Sequence, residues 1–192
     1  MPRTEGGAAM SVVYHYTDTA RLPWILRSGE LRPGNNRIGG FPDPDFLWAT
    51  TSPVGERTAA ASMQALRAGL TRLVRFVLPA EGFDTWPEIV RAYPAWTREH
   101  VARLEHAAKG KSRPQDWRCR VQPLPAEVWL GIGTRSFTDT RWLPFDSKCV
   151  AEQFGERALG LWFGSKIYIS EEVEHPSGAT GYSVTVGTRR AA

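Results

Sequence analysis

The run YHYT at residues 14–17 and the run FLWATTS at residues 46–52 decide the fold. Each is short, apolar and rich in aromatic or β-branched residues, a pattern that predicts a buried strand. Each also ends in polar side chains just where a helix is predicted to begin. Because polar groups at the end of a buried strand can hold a ligand, we expect a binding site where these two strands end.

Capping and breaker residues set out the other elements. Strands are predicted over 11–16, 46–51, 70–78, 117–122, 128–134, 142–145, 166–170 and 182–186, with 117–122 and 128–134 as a pair. Helices are predicted over 21–28, 53–68, 97–109 and, briefly, 151–157. Thr19, Ser52 and Thr97 are the expected N-caps of the first three helices, and Gly29 is expected to end the first. Residues 33–45 hold too many Pro and Gly residues to be regular, and a loop of this length is typical of one that covers a site.

Length and composition indicate one globular domain. The chain has 192 residues, 42% hydrophobic and 23% charged, which is enough to bury a sizeable core. We predict a disordered leader over 1–10 and a single domain over 11–192. No apolar run is long enough to cross a membrane, and none near the first residue resembles a signal peptide. A cytoplasmic protein without a membrane partner is therefore expected.

Charge and cysteine content narrow the ligand class. Cys119 and Cys149 are the only cysteines, and no His/Cys group has the spacing of a metal site, so neither a zinc site nor a disulfide framework is expected. The net charge of +4 fits a polyanionic ligand such as a dinucleotide or a nucleic acid, and it also fits an ordinary basic surface.

Several side chains are candidates for chemistry. His15 could donate a hydrogen bond to a ligand hydroxyl, or it could be a core histidine satisfied by a backbone carbonyl. Glu127, at the entrance of a predicted strand, could stabilise positive charge in a transition state by its own charge, or be solvent-exposed. Arg32 and Arg37, which flank or lie in the 33–45 loop, could pair with a pyrophosphate.

The order and character of these features resemble the ADP-ribosyltransferase superfamily. A strand bearing H-x-T is followed by a helix and by the run ILRSGELRP at residues 25–33, which is similar to the opening of the DNA-targeting ADP-ribosyltransferase toxins and of the tRNA 2′-phosphotransferases. The runs LWATTSP at 47–53, RLVRF at 72–76 and DWR at 116–118 look like those of small bacterial proteins with the same HYT opening. The resemblance covers about residues 12–134 and leaves 135–192 as a C-terminal extension.

The resemblance implies an α+β fold with a split mixed β-sheet, flanking helices and uncertain strands in the extension. Proteins of this family bind NAD, as a substrate, in a cleft between two half-sheets. The family's histidine falls on His15, which would hold the nicotinamide-side ribose, with Tyr16 and Thr17 beside it.

The remaining family positions are assigned more loosely. The second-strand motif falls near three hydroxyl residues, Thr50, Thr51 and Ser52. Because the second strand has no tyrosine, the ring that stacks on the nicotinamide would be Trp48 or Phe41. The catalytic glutamate falls on Glu127. Arg32 or Arg37 would hold the pyrophosphate under a lid formed by residues 33–45. For the catalytic glutamate, three alternatives stay open: Glu56, Glu171 and Glu172.

We therefore expect an NAD-dependent mono-ADP-ribosyltransferase that modifies DNA, RNA or protein, with nucleic acid slightly favoured by the basic charge. One alternative is an RNA 2′-phosphotransferase-like enzyme, which would need several basic residues in the cleft and no catalytic glutamate. Another is a non-catalytic module that binds NAD or a nucleotide. The sequence leaves open whether the protein is a toxin or phage-defence effector, and with it whether a cognate antitoxin is a partner.

Overall fold

The computed structural model describes residues 10–56, 62–174 and 180–188, so the expected leader over 1–10 lies almost wholly outside them. Over these residues the chain forms strands and a smaller number of helices, as expected for the α+β class. The strands are β1 (Val12–Asp18), β2 (Glu30–Leu31), β3 (Leu47–Thr50), β4 (Leu73–Pro79), β5 (Asp84–Thr85), β6 (Trp117–Arg120), β7 (Leu124–Pro125), β8 (Gly131–Arg135), β9 (Leu143–Phe145), β10 (Glu152–Gln153), β11 (Ala158–Phe163), β12 (Lys166–Glu174) and β13 (Thr180–Thr188). The α-helices are α1 (Leu22–Ser28), α2 (Met63–Arg67), α3 (Trp86–Ala92) and α4 (Arg98–Ala108).

The main sheet has seven strands in the order β5-β6-β3-β1-β4-β8-β9. Its described pairings are all antiparallel, so the sheet is antiparallel and the expected mixed sheet is wrong. β1 pairs with β4 along its whole length. Across its other edge, β1 shares with β3 the single residue pair Tyr14–Thr50. The main sheet is therefore joined far more weakly between β1 and β3 than between β1 and β4.

A second antiparallel sheet is built from the C-terminal residues in the order β10-β11-β12-β13. Leu161 of β11 belongs to the same buried cluster as Val13 of β1 and Phe76 of β4. Ser170 of β12, fully buried, donates a hydrogen bond to the carbonyl of Ala20 at 2.6 Å. The C-terminal sheet thus shares its core with the main sheet.

A second buried cluster is mainly aromatic. It joins α3 and α4 to β3 and β6 through Phe46, Trp86, Trp96 and Trp117, with Trp48 packed against it. Neighbouring rings in this cluster meet at tilted or edge-on angles with centroids 5.2–5.8 Å apart, the arrangement that aromatic quadrupoles favour. Much of the chain's high tryptophan content therefore serves this core.

Helix ends explain two departures from the predicted elements. Arg21, not Thr19, is the N-cap residue of α1, because the Thr19 hydroxyl accepts instead from the Arg72 amide at 2.9 Å. Ser52 caps no helix: its hydroxyl donates to the Gly55 carbonyl at 3.2 Å and turns the chain, while α2 is capped by Ser62. Residues 57–61 of the predicted second helix lie outside the described residues.

Two strand predictions also differ. The predicted pair 117–122 and 128–134 is wrong, because β6 pairs with β3 and β5 while β8 pairs with β4 and β9. Between them β7 pairs with β2, which carries the chain from one side of the main sheet to the other. The predicted helix over 151–157 is wrong as well: Gly155, at a φ of +124°, is incompatible with a right-handed helix.

Helix α4 confirms its prediction, with Thr97 accepting from the His100 amide at 3.4 Å, and α1 ends as expected at Gly29, whose φ is +70°. In the described part of the chain, no helix combines the length and apolar character needed to cross a membrane.

Candidate functional site

A cleft of about 810 Å³ opens beside the β1–β3 junction. Its volume lies within the range of about 300–1,000 Å³ that is usual for small-molecule and cofactor sites. Half of the predicted site residues line it: Tyr16, Thr17, Thr50, Thr51 and Ser52. These come from β1 and from the end of β3 with the two residues that follow it, more than thirty positions away in sequence. The expectation that the polar ends of the two strands meet at one site is consistent with this arrangement.

Hydrogen bonds fix the polar groups of this cleft wall. The Tyr16 hydroxyl donates to the Ser52 carbonyl at 2.7 Å, which ties β1 to the chain after β3. Thr50 Oγ1 accepts from the Ser52 amide at 3.1 Å, and the Thr51 amide donates to the Asp116 carbonyl at 2.9 Å. Burial is the main cause that raises the pKa of Tyr16, so its hydroxyl keeps its proton and its role as a donor at neutral pH.

Two arginines hold the next residues of the same wall. Arg75 Nη1 donates to the Pro53 carbonyl at 2.6 Å, and Arg135 Nη2 donates to the Val54 carbonyl at 3.2 Å. Both guanidinium groups lie over the Trp142 ring, each with its Cζ 4.7 Å from the ring centroid. Such stacked cations are held by the negative face of the ring, so this part of the wall is a pre-formed surface.

The cleft is lined by more cations than carboxylates. Its basic residues are Arg67, Lys111, Arg113 and Arg135, and its acidic residues are Glu56 and Asp116. Arg113 Nε lies 2.8 Å from Asp116 Oδ2, and this hydrogen bond is the main cause that lowers the pKa of the Asp116 carboxyl. The lining residues therefore carry an excess of positive charge, which favours an anionic ligand.

Glu56 is the cleft carboxylate that the sequence left as an alternative. The hydroxyl of Ser112 donates to Glu56 Oε2 at 2.7 Å and accepts from Trp117 Nε1 at 2.5 Å. The carboxylate is therefore held by the segment between α4 and β6, and through it by the aromatic core.

His15 lies on the other face of β1. The His15 ring approaches the buried Phe76, with centroids 6.0 Å apart, whereas Tyr16 approaches Trp142 on the cleft side. His15 Nδ1 is 2.7 Å from the Trp48 carbonyl oxygen. A carbonyl can only accept, so Nδ1 carries the hydrogen and Nε2 is the basic nitrogen. Burial lowers the pKa of His15, and the neutral ring bridges β1 and β3 at their weak junction.

Other predicted site residues lie away from the cleft. Trp48 packs in the aromatic cluster, 5.4 Å from Trp86 between ring centroids. Glu127 is exposed in a 3₁₀ turn, Ala126–Val128. Glu171 and Glu172, the remaining alternatives, belong to β12 of the second sheet.

The two predicted arginines are engaged by nearby acids. Arg32 Nε lies 2.6 Å from Glu30 Oε1, and Arg37 Nε donates to Asp43 at 3.2 Å within its own loop. The hydrogen bond to Asp43 is the main cause that raises the pKa of Arg37. Neither arginine lines the cleft.

The 33–45 loop packs on the aromatic cluster instead of covering the cleft. Phe41 stacks on Trp96 with centroids 5.4 Å apart, and the Arg103 guanidinium of α4 lies 4.4 Å from the centroid of the same ring. The Asn36 side chain donates to the Pro44 carbonyl at 2.7 Å. Residues 33–45, which were expected to form a lid, therefore pack as part of the aromatic cluster.

Sequence reasoning missed the cleft residues that come from outside the two strands. Arg67, Lys111, Arg135 and Trp142 lie in segments that share no motif, and the structure alone brings them together. Asp116 was part of the DWR run, which is the one signal that could have pointed to this wall.

Among the described residues, no group of three or more His, Cys, Asp or Glu side chains could hold a metal ion. Comparison of the chain with models of known protein families, with curated proteins and with solved structures finds no match.

Proposed function

We propose that the cleft binds NAD and that the protein is an NAD-dependent mono-ADP-ribosyltransferase of a macromolecular acceptor, with nucleic acid slightly favoured. The observation that carries this proposal is the cleft itself. Polar residues of β1 and β3 that the family resemblance selects line one cavity of cofactor size, together with an excess of cations and a carboxylate.

The β1–β3 junction supports the family's split sheet. β1 is paired with β4 over seven residues but with β3 at one pair only. The strands β5-β6-β3 and β1-β4-β8-β9 can therefore be regarded as two half-sheets, and the cleft lies beside the place where they meet.

The charged groups suggest how NAD would be held. Arg67 and Lys111 are suited to the pyrophosphate, because the anionic phosphate oxygens accept charge-assisted hydrogen bonds from cationic donors. Phe137, which is 40% exposed and lies under the Arg67 guanidinium at 5.7 Å, offers a ring edge and face at the rim for a planar base.

In this proposal Glu56 carries the catalytic role that the resemblance implied for Glu127. The bond between nicotinamide and the ribose C1′ breaks, and the bonding electron pair leaves with the nicotinamide. A carboxylate beside C1′ stabilises the positive charge that develops on the ribose. A nucleophile of the acceptor then bonds to C1′ and loses a proton. His15 acts as a positioning residue, since it holds β1 and β3 together from the opposite face.

The excess of basic residues favours a second candidate. An RNA 2′-phosphotransferase-like enzyme needs several cations in the cleft, and four line it here. The cleft carboxylate Glu56 argues for the transferase, because the phosphotransfer reaction needs no catalytic glutamate.

One experiment separates the two. The protein is incubated with NAD and either single-stranded DNA, RNA without a 2′-phosphate, or RNA that carries an internal 2′-phosphate, and the products are measured by mass spectrometry. An ADP-ribose adduct on the acceptor supports the transferase. If the RNA loses its 2′-phosphate, and Glu56→Gln removes the phosphate as fast as the wild type, the protein is instead the phosphotransferase-like enzyme.

A further inference from the structure

The edge strand β13 has an open side. It is the last strand of the second sheet and pairs with β12 along its full length, from Thr180 opposite Glu174 to Thr188 opposite Lys166. In the described ranges of the chain, no other strand pairs with it. An edge strand presents a row of unpaired N–H and C=O groups, which is a template for pairing with a further strand.

β13 also lacks the features that usually protect such an edge. Its sequence, TGYSVTVGT at residues 180–188, contains no charged residue and no proline. The pairing with β12 runs through nine consecutive positions without a bulge. Proteins commonly block edge pairing with lysine, proline, bulges or very short strands, and β13 uses none of these.

The strand is nearly palindromic about Val184. Thr180 mirrors Thr188 and Gly181 mirrors Gly187, while the other two mirrored pairs are Tyr182 with Val186 and Ser183 with Thr185. In an antiparallel pair of two identical strands centred on this residue, small residues therefore face small ones and hydroxyls face hydroxyls. An aromatic side chain faces a β-branched one, which is a favourable cross-strand pair.

The body of the protein fixes the position of this strand. Tyr182 lies under the Arg21 guanidinium, with its ring centroid 5.8 Å from Cζ, and approaches Trp24 of α1. Ser183 and Thr185 are exposed. The Tyr182 side chain thus anchors the strand to the body of the protein, while the backbone edge on the side away from β12 is open.

We infer that β13 is the interface for a second copy of this chain. Two copies pair β13 with β13 antiparallel about a two-fold axis at Val184, which joins two four-stranded sheets into one continuous sheet. A symmetric dimer of this kind requires a self-complementary surface, and a palindromic, uncharged strand meets that requirement because no like charges face each other. This inference does not depend on the proposed function.

The test uses charge pairs at mirrored positions. In the two-fold pairing, position 183 of one copy faces position 185 of the other. The double variant Ser183→Lys, Thr185→Lys would place lysine opposite lysine twice. The matched variant Ser183→Lys, Thr185→Glu changes the same two exposed positions but would place lysine opposite glutamate twice. Like charges directly opposite each other destabilise a strand pair, and opposite charges stabilise it.

Sedimentation equilibrium of the full chain and of both variants measures the dimer dissociation constant. We expect a wild-type dimer, a Lys/Lys variant whose dissociation constant is at least about tenfold higher, and a Lys/Glu variant that dimerises like the wild type. Circular dichroism of both variants checks that they fold.

Three results would overturn the inference. The first is a wild-type protein that remains monomeric at its highest soluble concentration. The second is a dimer that neither variant weakens, which would place the interface elsewhere. The third is equal weakening by both variants, which would rule out the two-fold register at Val184.

Discussion

Lowering the pH should weaken the fold through His15. Its ring is neutral in the folded chain, with Nδ1 donating to the Trp48 carbonyl, and burial lowers its pKa below the ordinary value, which is about 6.5. The unfolded chain therefore binds a proton at this residue as the pH falls below about 6.5, whereas the folded chain does not until a lower pH. The stability that the neutral His15 ring contributes is complete above the unfolded pKa of about 6.5. It is lost progressively as the pH falls from there to the folded pKa.

The magnitude follows from one proton. A difference of one bound proton changes the free energy of unfolding by about 1.4 kcal/mol per pH unit. Since the folded ring binds at most as many protons as the unfolded one, the stability lost between about pH 8 and about pH 5.5 is at most about 1.4 kcal/mol.

Urea unfolding at a series of pH values measures this loss in the wild type and in His15→Gln. The glutamine can still donate a hydrogen bond to the Trp48 carbonyl but does not titrate. All other titrating groups, including the buried Asp18, are present in both proteins. The difference between the two curves therefore isolates His15. Parallel curves for the wild type and the variant over this pH range would show that His15 takes up its proton equally in the folded and unfolded chains.

Two further substitutions test the shared core and the cleft wall. Leu161→Ala should destabilise the whole protein by about 2–5 kcal/mol in one cooperative urea transition. The exposed control Val150→Ala should change the free energy of unfolding by less than about 0.5 kcal/mol. A separate early transition of the C-terminal sheet would contradict the shared core. Arg75→Met removes the donor to the Pro53 carbonyl and should weaken NAD binding, measured by calorimetry, by about tenfold. Arg141→Met, at an exposed position, is the control. Equal NAD affinities of Arg75→Met and the wild type would show that Arg75 does not shape the cleft.

Local sequence signals were sufficient for most individual elements. The apolar runs that became β1, β3 and β4, and the Thr97 cap of α4, act through neighbouring residues only, so they can be recognised without tertiary structure. Strand pairing is not local. β6 and β8 are neighbours in the sequence but lie on opposite sides of the sheet, because β7 pairs with β2 between them.

The residues that line the cleft depend on tertiary contacts for a related reason. The sequence predicts that the polar ends of β1 and β3 share one site, and residues of both ends line the cleft. His15, expected in the same site, instead contacts Phe76 and the Trp48 carbonyl. Arg32 and Arg37 were assigned from loop composition alone, and their nearest acids, Glu30 and Asp43, compete for them. The cations that do line the cleft come from distant segments that only folding brings together.

The central claim is that the cleft cleaves NAD with Glu56 beside the reacting carbon. The direct measurement is nicotinamide release from NAD, in the presence of the acceptor, by the wild type, Glu56→Gln and the matched variant Glu127→Gln. We expect release by the wild type, a loss of about a hundredfold or more in Glu56→Gln, and nearly unchanged release in Glu127→Gln. Release that Glu127→Gln abolishes and Glu56→Gln retains would exclude Glu56 as the catalytic carboxylate and place the reaction outside this cleft.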